Sequence, residues 1–215
     1  MSTNAKVAGF ATAGLLLGYA LDRANSSPIA AVTLVTVALS IVGLVKTRWL
    51  TRYCFDKSKI IKEKEYYRAL SYGFFHLNLT HFLFNMLTFY SFAPLFYNSL
   101  AVVTHHPALL LIFLYLLSVV VSSIPDLLSS SKEYTALGAS GTVSSLISAC
   151  VVLQPSIKMY LFFLPVPIPA PLFLVAFIAL SYYLSGRQSS RIGHRMHLTG
   201  AVFGIILGML IRLVM

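Results

Sequence analysis

The sequence predicts an all-α polytopic membrane protein, a bundle of six transmembrane helices, on three observations. Of its 215 residues 58% are hydrophobic and 10% are charged, whereas a water-soluble domain carries about a quarter charged residues. Six apolar segments, at 29–45, 72–97, 107–124, 135–153, 161–184 and 197–215, approach the roughly 20 residues that span a bilayer once their flanks are included. No polar linker long enough to separate domains interrupts them, so residues 29–215 read as one membrane-embedded domain and residues 1–28 as an N-terminal segment.

The N-terminal segment holds a short hydrophobic helix, VAGFATAGLLLGYAL at 7–21, with three glycines in 15 residues. It is an extra span, an interfacial helix or a helix packed against the bundle, and an interfacial or peripheral place is favoured. It lacks the basic flank and A-x-A site of a cleavable signal peptide. After the first span, KTRWLTRYCFDKSKIIKEKEYYRAL mixes aromatics with eight of the 16 Lys and Arg residues, a composition that suits a segment lying at the lipid interface. Three more cations, Arg187, Arg191 and Arg195, precede the last span. The formal charge of +10 therefore points to anionic lipid headgroups and not to nucleic acid, because no soluble domain is present to hold it. SSIPDLLSSSKEY reads as a short turn-like connection. In FLPVPIPAP four prolines stand two residues apart and forbid a regular helix, so the fifth span is short or begins irregularly. Cys54 and Cys150 lie in unlike surroundings and form no metal, redox or disulfide pattern.

Three polar constellations fall within these spans. In HLNLTHFLFN, His81 and Asn85 are four apart and share a helix face, with His76 five before His81. Ser140 stands between small residues in GASG, flanked by Gly138, Ala139 and Gly141. His197 opens a segment with Gly200, Gly204 and Gly208 at four-residue spacing. Each has a plain structural explanation: membrane serines bond back to carbonyls, and spaced glycines let helices approach. Burying a histidine with an asparagine is costly unless both are satisfied. Together they provide the parts for acyl transfer. His197 is a base for the Ser140 hydroxyl, and the Ser140 amide with His81 and Asn85 supplies donors for an oxyanion. No Asp or Glu is placed to orient His197, so the unit is a dyad.

On these residues the chain resembles the rhomboid intramembrane serine proteases over about 29–215. The family's G-x-S-G matches Gly138 to Gly141, its H-x-x-G-x-x-x-G matches His197, Gly200 and Gly204, and its second-span histidines with H-x-x-x-N match His76, His81 and Asn85. The resemblance implies Ser140 as nucleophile, His197 as base, His81 and Asn85 at the oxyanion hole and His76 in support. In EYYRALSYGFFH, Arg68 stands where the family's first loop has the arginine of a W-R pair, with Tyr67 for tryptophan and Glu65 nearby to tie the loop together. Two further departures bear on His197: Ser144 replaces a tyrosine that commonly stacks beneath the base, and Met196 replaces a small residue. The implied activity is that of an intramembrane serine endopeptidase, needing no metal or cofactor, whose partners are the lipid bilayer and single-span membrane-protein substrates with locally unstable helices. The compact core, the VTLVTVAL run and the proline loop resemble the small endoplasmic-reticulum and Golgi rhomboids. That location would turn the first loop to the lumen, whereas the positive-inside rule would hold its cations in the cytosol. The competing readings are a weakly active or inactive rhomboid-like protein that binds membrane clients, motivated by Ser144 and Met196, and a transporter or channel, motivated only by polar residues within spans.

Overall fold

The computed structural model describes residues 28–129, 134–161, 164–185 and 193–215. The hydrophobic stretch at 7–21, the proposed boundary near residue 28 on its N-terminal side, and Arg187 and Arg191 lie outside these residues. Helix α1 (Pro28–Val45) begins with proline, which suits a first turn whose N–H groups lack acceptors. The first connection is a string of short elements: α2 (Arg48–Tyr53), β1 (Phe55–Asp56), α3 (Lys57–Lys62), α4 (Arg68–Ser71) and a 3-10 turn at Tyr72–Phe74. Then follow α5 (Leu79–Val103), α6 (Pro107–Leu128), β2 (Thr135–Ala136), α7 (Ser140–Leu153), the strands β3 (Lys158–Leu161) and β4 (Leu164–Pro169), α8 (Ala170–Ser185) and α9 (His194–Val214).

The result is an all-α polytopic bundle with two small two-stranded sheets. Helices α1, α5, α6 and α9 are long and apolar enough to cross a membrane, while α7 and α8 are shorter apolar helices. Leu34, Leu83, Phe113, Val175 and Leu210 are among the apolar side chains left exposed on its surface, as expected of a protein that meets lipid and not water. The chain is an integral multi-pass membrane protein.

Several helix limits differ from those the hydropathy suggests. The segment at 72–97 starts its long helix only at Leu79, because Asn78 accepts the His81 N–H at 2.8 Å and so caps the first turn. SSIPDLL is helical and not a turn: α6 runs through Pro125 to Leu128, and its end is tied down by an ion pair between Asp126 and Arg195 at 3.7 Å. In the segment at 135–153, Thr135 and Ala136 pair with Asp56 and Phe55, which leaves α7 only 14 residues, about 21 Å of helix. The segment at 161–184 becomes helical at Ala170, after β4. The Ala170 N–H donates to the Ile157 carbonyl at 2.9 Å. Residues of that parity thus face β3, and Pro167 and Pro169 turn outward, where no donor is required.

Helices that alternate in direction put the α1–α5 connection, the start of α7 and the start of α9 at one end of the bundle. There β1 pairs with β2, the Gly138 N–H donates to the Tyr72 carbonyl at 2.9 Å, and the Lys57 N–H to that of Tyr134. The first connection is itself pinned by Arg68, 2% exposed. Its Nε donates to Glu65 at 2.6 Å and its Nη1 to the Thr51 and Cys54 carbonyls, both at 3.0 Å. Burial pushes the neighbouring Cys54 thiol up from its ordinary value, opposed by the Arg68 charge. Cys54 and Cys150 are both free.

Helix α7 is the centre of the bundle, with ten of its fourteen residues buried. It lies against α9 backbone to backbone. A Cβ on Gly200 would overlap the Gly141 carbonyl, one on Gly204 the Ser145 carbonyl, and one on Gly208 would come within 2.9 Å of Val152 Cβ. The four-residue spacing thus keeps one face of α9 bare where α7 presses on it.

Candidate active site

The close approach of α7 and α9 brings their first turns together. Ser140 is the first residue of α7 and His197 the fourth of α9. The His197 Nε2 lies 2.7 Å from the Ser140 Oγ. Both side chains are partly exposed, so the pair is reachable from outside the packed core. When Nε2 holds its lone pair it accepts the serine proton, which fixes the hydrogen of the neutral imidazole on Nδ1.

The turn before Ser140 is strained in a way that requires its residue type. Gly138 has φ +116°, a region closed to side chains, and a Cβ there would meet the His81 ring. Ala139 follows with its N–H donated to His76 Nε2 at 3.3 Å. His76 is fully buried, and its Nδ1 lies 2.9 Å from the Ser40 Oγ, which itself bonds to the Phe74 carbonyl at 3.0 Å. These contacts settle the tautomer: Nε2 accepts, so Nδ1 carries the hydrogen and donates it to Ser40, whose own hydrogen goes to Phe74. His76 is thus a neutral strut between α1 and the GASG turn.

His81 stands with its ring edge-on to His76, centroids 5.1 Å apart. Asn85 lies one turn further along α5, is 6% exposed, and donates one amide hydrogen to the His81 carbonyl at 2.8 Å. Its second N–H remains for another acceptor. The structure therefore joins Ser140 with His197, joins His76 to the residue before the serine, and sets His81 against Gly138. Asn85 contacts His81 through the α5 backbone. Gly138, Gly141, Gly200 and Gly204 act through space and backbone shape; at Gly141 a Cβ would meet Ser122 at 2.7 Å and the Met196 carbonyl at 3.2 Å. Glu65 and Arg68 shape the first connection and not the serine itself.

Ser140 opens a helix, so its N–H is among the first-turn amides that have no intrahelical acceptor. The helix dipole adds partial positive charge at the same place. A carbonyl oxygen that turns anionic beside Ser140 Oγ meets those donors.

The two departures near His197 have visible consequences. Ser144 is buried and donates to the Ser140 carbonyl at 2.7 Å, so α7 offers His197 no ring. Met196 is buried in the α6–α7–α9 contact, its carbonyl facing Gly141. Beside His197 stand instead Phe177 of α8, its ring near-parallel and offset with centroids 6.1 Å apart and planes 26° apart, and His194, roughly perpendicular at 5.9 Å.

Sequence reasoning did not find Ser40, Asn78, Asp126 or Phe177. Asn78 was open to discovery, since an asparagine before an apolar run is a capping signal. Ser40 and Phe177 carried no signal, because a serine or phenylalanine in an apolar span is ordinary until its neighbour in space is known. Among the described residues no cluster of His, Cys, Asp and Glu has the arrangement to hold a metal ion.

A comparison with curated proteins finds no match. The rhomboid domain family matches residues 63–213, from the middle of the first connection to the end of α9, and the chain belongs to the rhomboid family.

Proposed function

We propose that the protein is an intramembrane serine endopeptidase acting through a Ser140–His197 dyad. The observation that supports this reading best is the 2.7 Å contact between His197 Nε2 and Ser140 Oγ, in a chain whose family and fold are consistent with proteolysis within membranes. Ser140 attacks a peptide carbonyl as His197 takes its proton. The oxyanion is met by the Ser140 N–H, the first turn of α7, and the remaining donors of His81 and Asn85, a set in which one donor is worth about 3 kcal/mol of transition-state stabilisation. His197 returns the proton to the leaving amine, giving an acyl-enzyme. Water, deprotonated by the same imidazole, then attacks the acyl carbon and releases a carboxylic acid and free Ser140.

The substrates are single-span membrane proteins with a helix that unwinds readily and a small residue before the cleaved bond. A helical carbonyl is engaged by its own N–H partner, so unwinding must precede attack, and helix-breaking residues lower its cost. Resemblance to the small rhomboids of the secretory pathway supports a place in endoplasmic-reticulum or Golgi membranes. The deciding experiment is labelling of the purified, detergent-solubilised protein with a fluorophosphonate. Labelling in the wild type and its loss in both Ser140→Ala and His197→Ala is expected. A folded wild type that stays unlabelled, or a His197→Ala protein that labels normally, overturns the dyad.

A further inference from the structure

We propose that Phe177 is a positioning residue for His197, supplying from α8 the ring that holds the base in plane; this rests on the dyad reading above. Among the described residues His197 is hydrogen-bonded through one nitrogen, to Ser140. A single hydrogen bond leaves an imidazole free to tilt, because the terminal torsion of a histidine is broad. A near-parallel ring packed beside it limits that freedom. The position one turn after Ser140 cannot provide it, since Ser144 is small and turned back to the Ser140 carbonyl.

Phe177 is backed in turn by Phe173, one turn earlier on α8, with centroids 6.2 Å apart and planes only 11° apart. Phe173, Phe177 and His197 thus form an offset row of near-parallel rings running from α8 onto α9, with His194 roughly perpendicular to the last of them. This row lies where α8 is otherwise lightly held: Ala170, Leu174 and Ser181 are its buried residues among those described.

The test is the rate of fluorophosphonate labelling of the full-length protein, resolved into probe affinity and maximal rate, with thermal midpoints measured alongside. Phe177→Ala and Phe177→Leu should each lower the maximal rate by roughly tenfold or more, short of the ~100-fold that a 1 Å misplacement of a catalytic group can cost, with affinity and midpoint unchanged. Phe177→Tyr and Phe177→Trp should restore it, because leucine keeps the bulk and only these keep the ring. In protein carrying carbon-13 histidine, the His197 ring signal, assigned by its absence in His197→Gln, should move in Phe177→Leu as the ring current is lost. Wild-type labelling that Phe177→Leu leaves unchanged, a rate that falls only together with the midpoint, or an unmoved His197 signal overturns the role of Phe177 while the dyad stands. A wild type that shows no Ser140-dependent labelling overturns the dyad and with it the catalytic meaning of the aromatic row, even if the His197 signal moves.

Discussion

Gly200 of α9 and Gly141 of α7 meet backbone to backbone: a Cβ built on Gly200 would fall within the Gly141 carbonyl group. Neither element can yield locally, because each is a helix whose backbone is already bonded along its axis. Gly200→Ala must therefore part the two helices, and with them Ser140 and His197. Overpacking a close contact costs about 1–3 kcal/mol, and the rigid neighbour puts this case at the upper end. Gly204→Ala should match it, since its Cβ would overlap the Ser145 carbonyl. Gly208→Ala should cost less, its nearest obstruction being the Val152 side chain at 2.9 Å. Thermal midpoints in detergent give the order, and labelling should fall in the first two variants. Equal midpoints for all three would show that α7 and α9 are not held by this bare face.

Gly138 has two separate reasons to lack a side chain, and they can be told apart. Its φ of +116° strains any other residue by about 1–3 kcal/mol, and a Cβ would also strike the His81 ring. Gly138→Ala should lose most labelling, because Ser140 follows only two residues later. Removing the ring in Gly138→Ala/His81→Ala relieves the clash and leaves the backbone strain, so midpoint recovery should be partial. Full recovery to the His81→Ala value would mean that the strain is negligible.

The contrast between what could and could not be read in the chain follows from range. The bundle was legible in the hydropathy, and Ser140, His197, His76, His81 and Asn85 stood out as polar residues in an apolar background, His81 and Asn85 at helical spacing and the set as a whole only through its resemblance to a family pattern. The helix limits were less so, because hydropathy does not register the Asn78 cap or the β1–β2 pairing that delays α7 to Ser140. Residues that act across space onto the site, such as Ser40 on His76 and Phe177 on His197, are invisible in one dimension, as each is unremarkable on its own helix. The turn-like reading of SSIPDLL failed at Pro125 because one lost backbone bond does not end a helix whose last turn is fixed by Asp126 and Arg195.

Ser40 tests the strut behind the serine. Ser40→Ala leaves the His76 Nδ1–H and the Phe74 carbonyl without the partner they share, in a site where His76 is fully buried. A buried polar group left unsatisfied costs about 1–3 kcal/mol. The expected outcome is a lower thermal midpoint together with slower labelling, since His76 is also the acceptor for the Ala139 N–H. Ser40→Thr keeps the hydroxyl and should retain more of both. If Ser40→Ala labels at the wild-type rate, the bond from His76 to Ala139 does not govern the placement of Ser140.

Arg68 should be the most sensitive residue of the first connection. It is 2% exposed and ties its own turn, through Glu65, to the end of α2, through the Thr51 and Cys54 carbonyls. Arg68→Ala removes all of these bonds and leaves two carbonyls facing a gap, a loss of about 3 kcal/mol when charged donors are involved. Glu65→Gln should cost less, because Glu65 is 28% exposed and its amide still accepts from the guanidinium. Arg68→Lys keeps the charge and loses the planar fork, so it should fall between them. Cys54 reports the result directly. Buried, with its thiol pushed up by desolvation, it should react slowly with a maleimide at neutral pH in a Cys150→Ser background. Arg68→Ala should speed that reaction well before the bundle melts, as the first connection opens alone. A reaction that accelerates only at the global midpoint would mean that the first connection and the bundle unfold as one unit, with Arg68 acting on the whole and not on the loop.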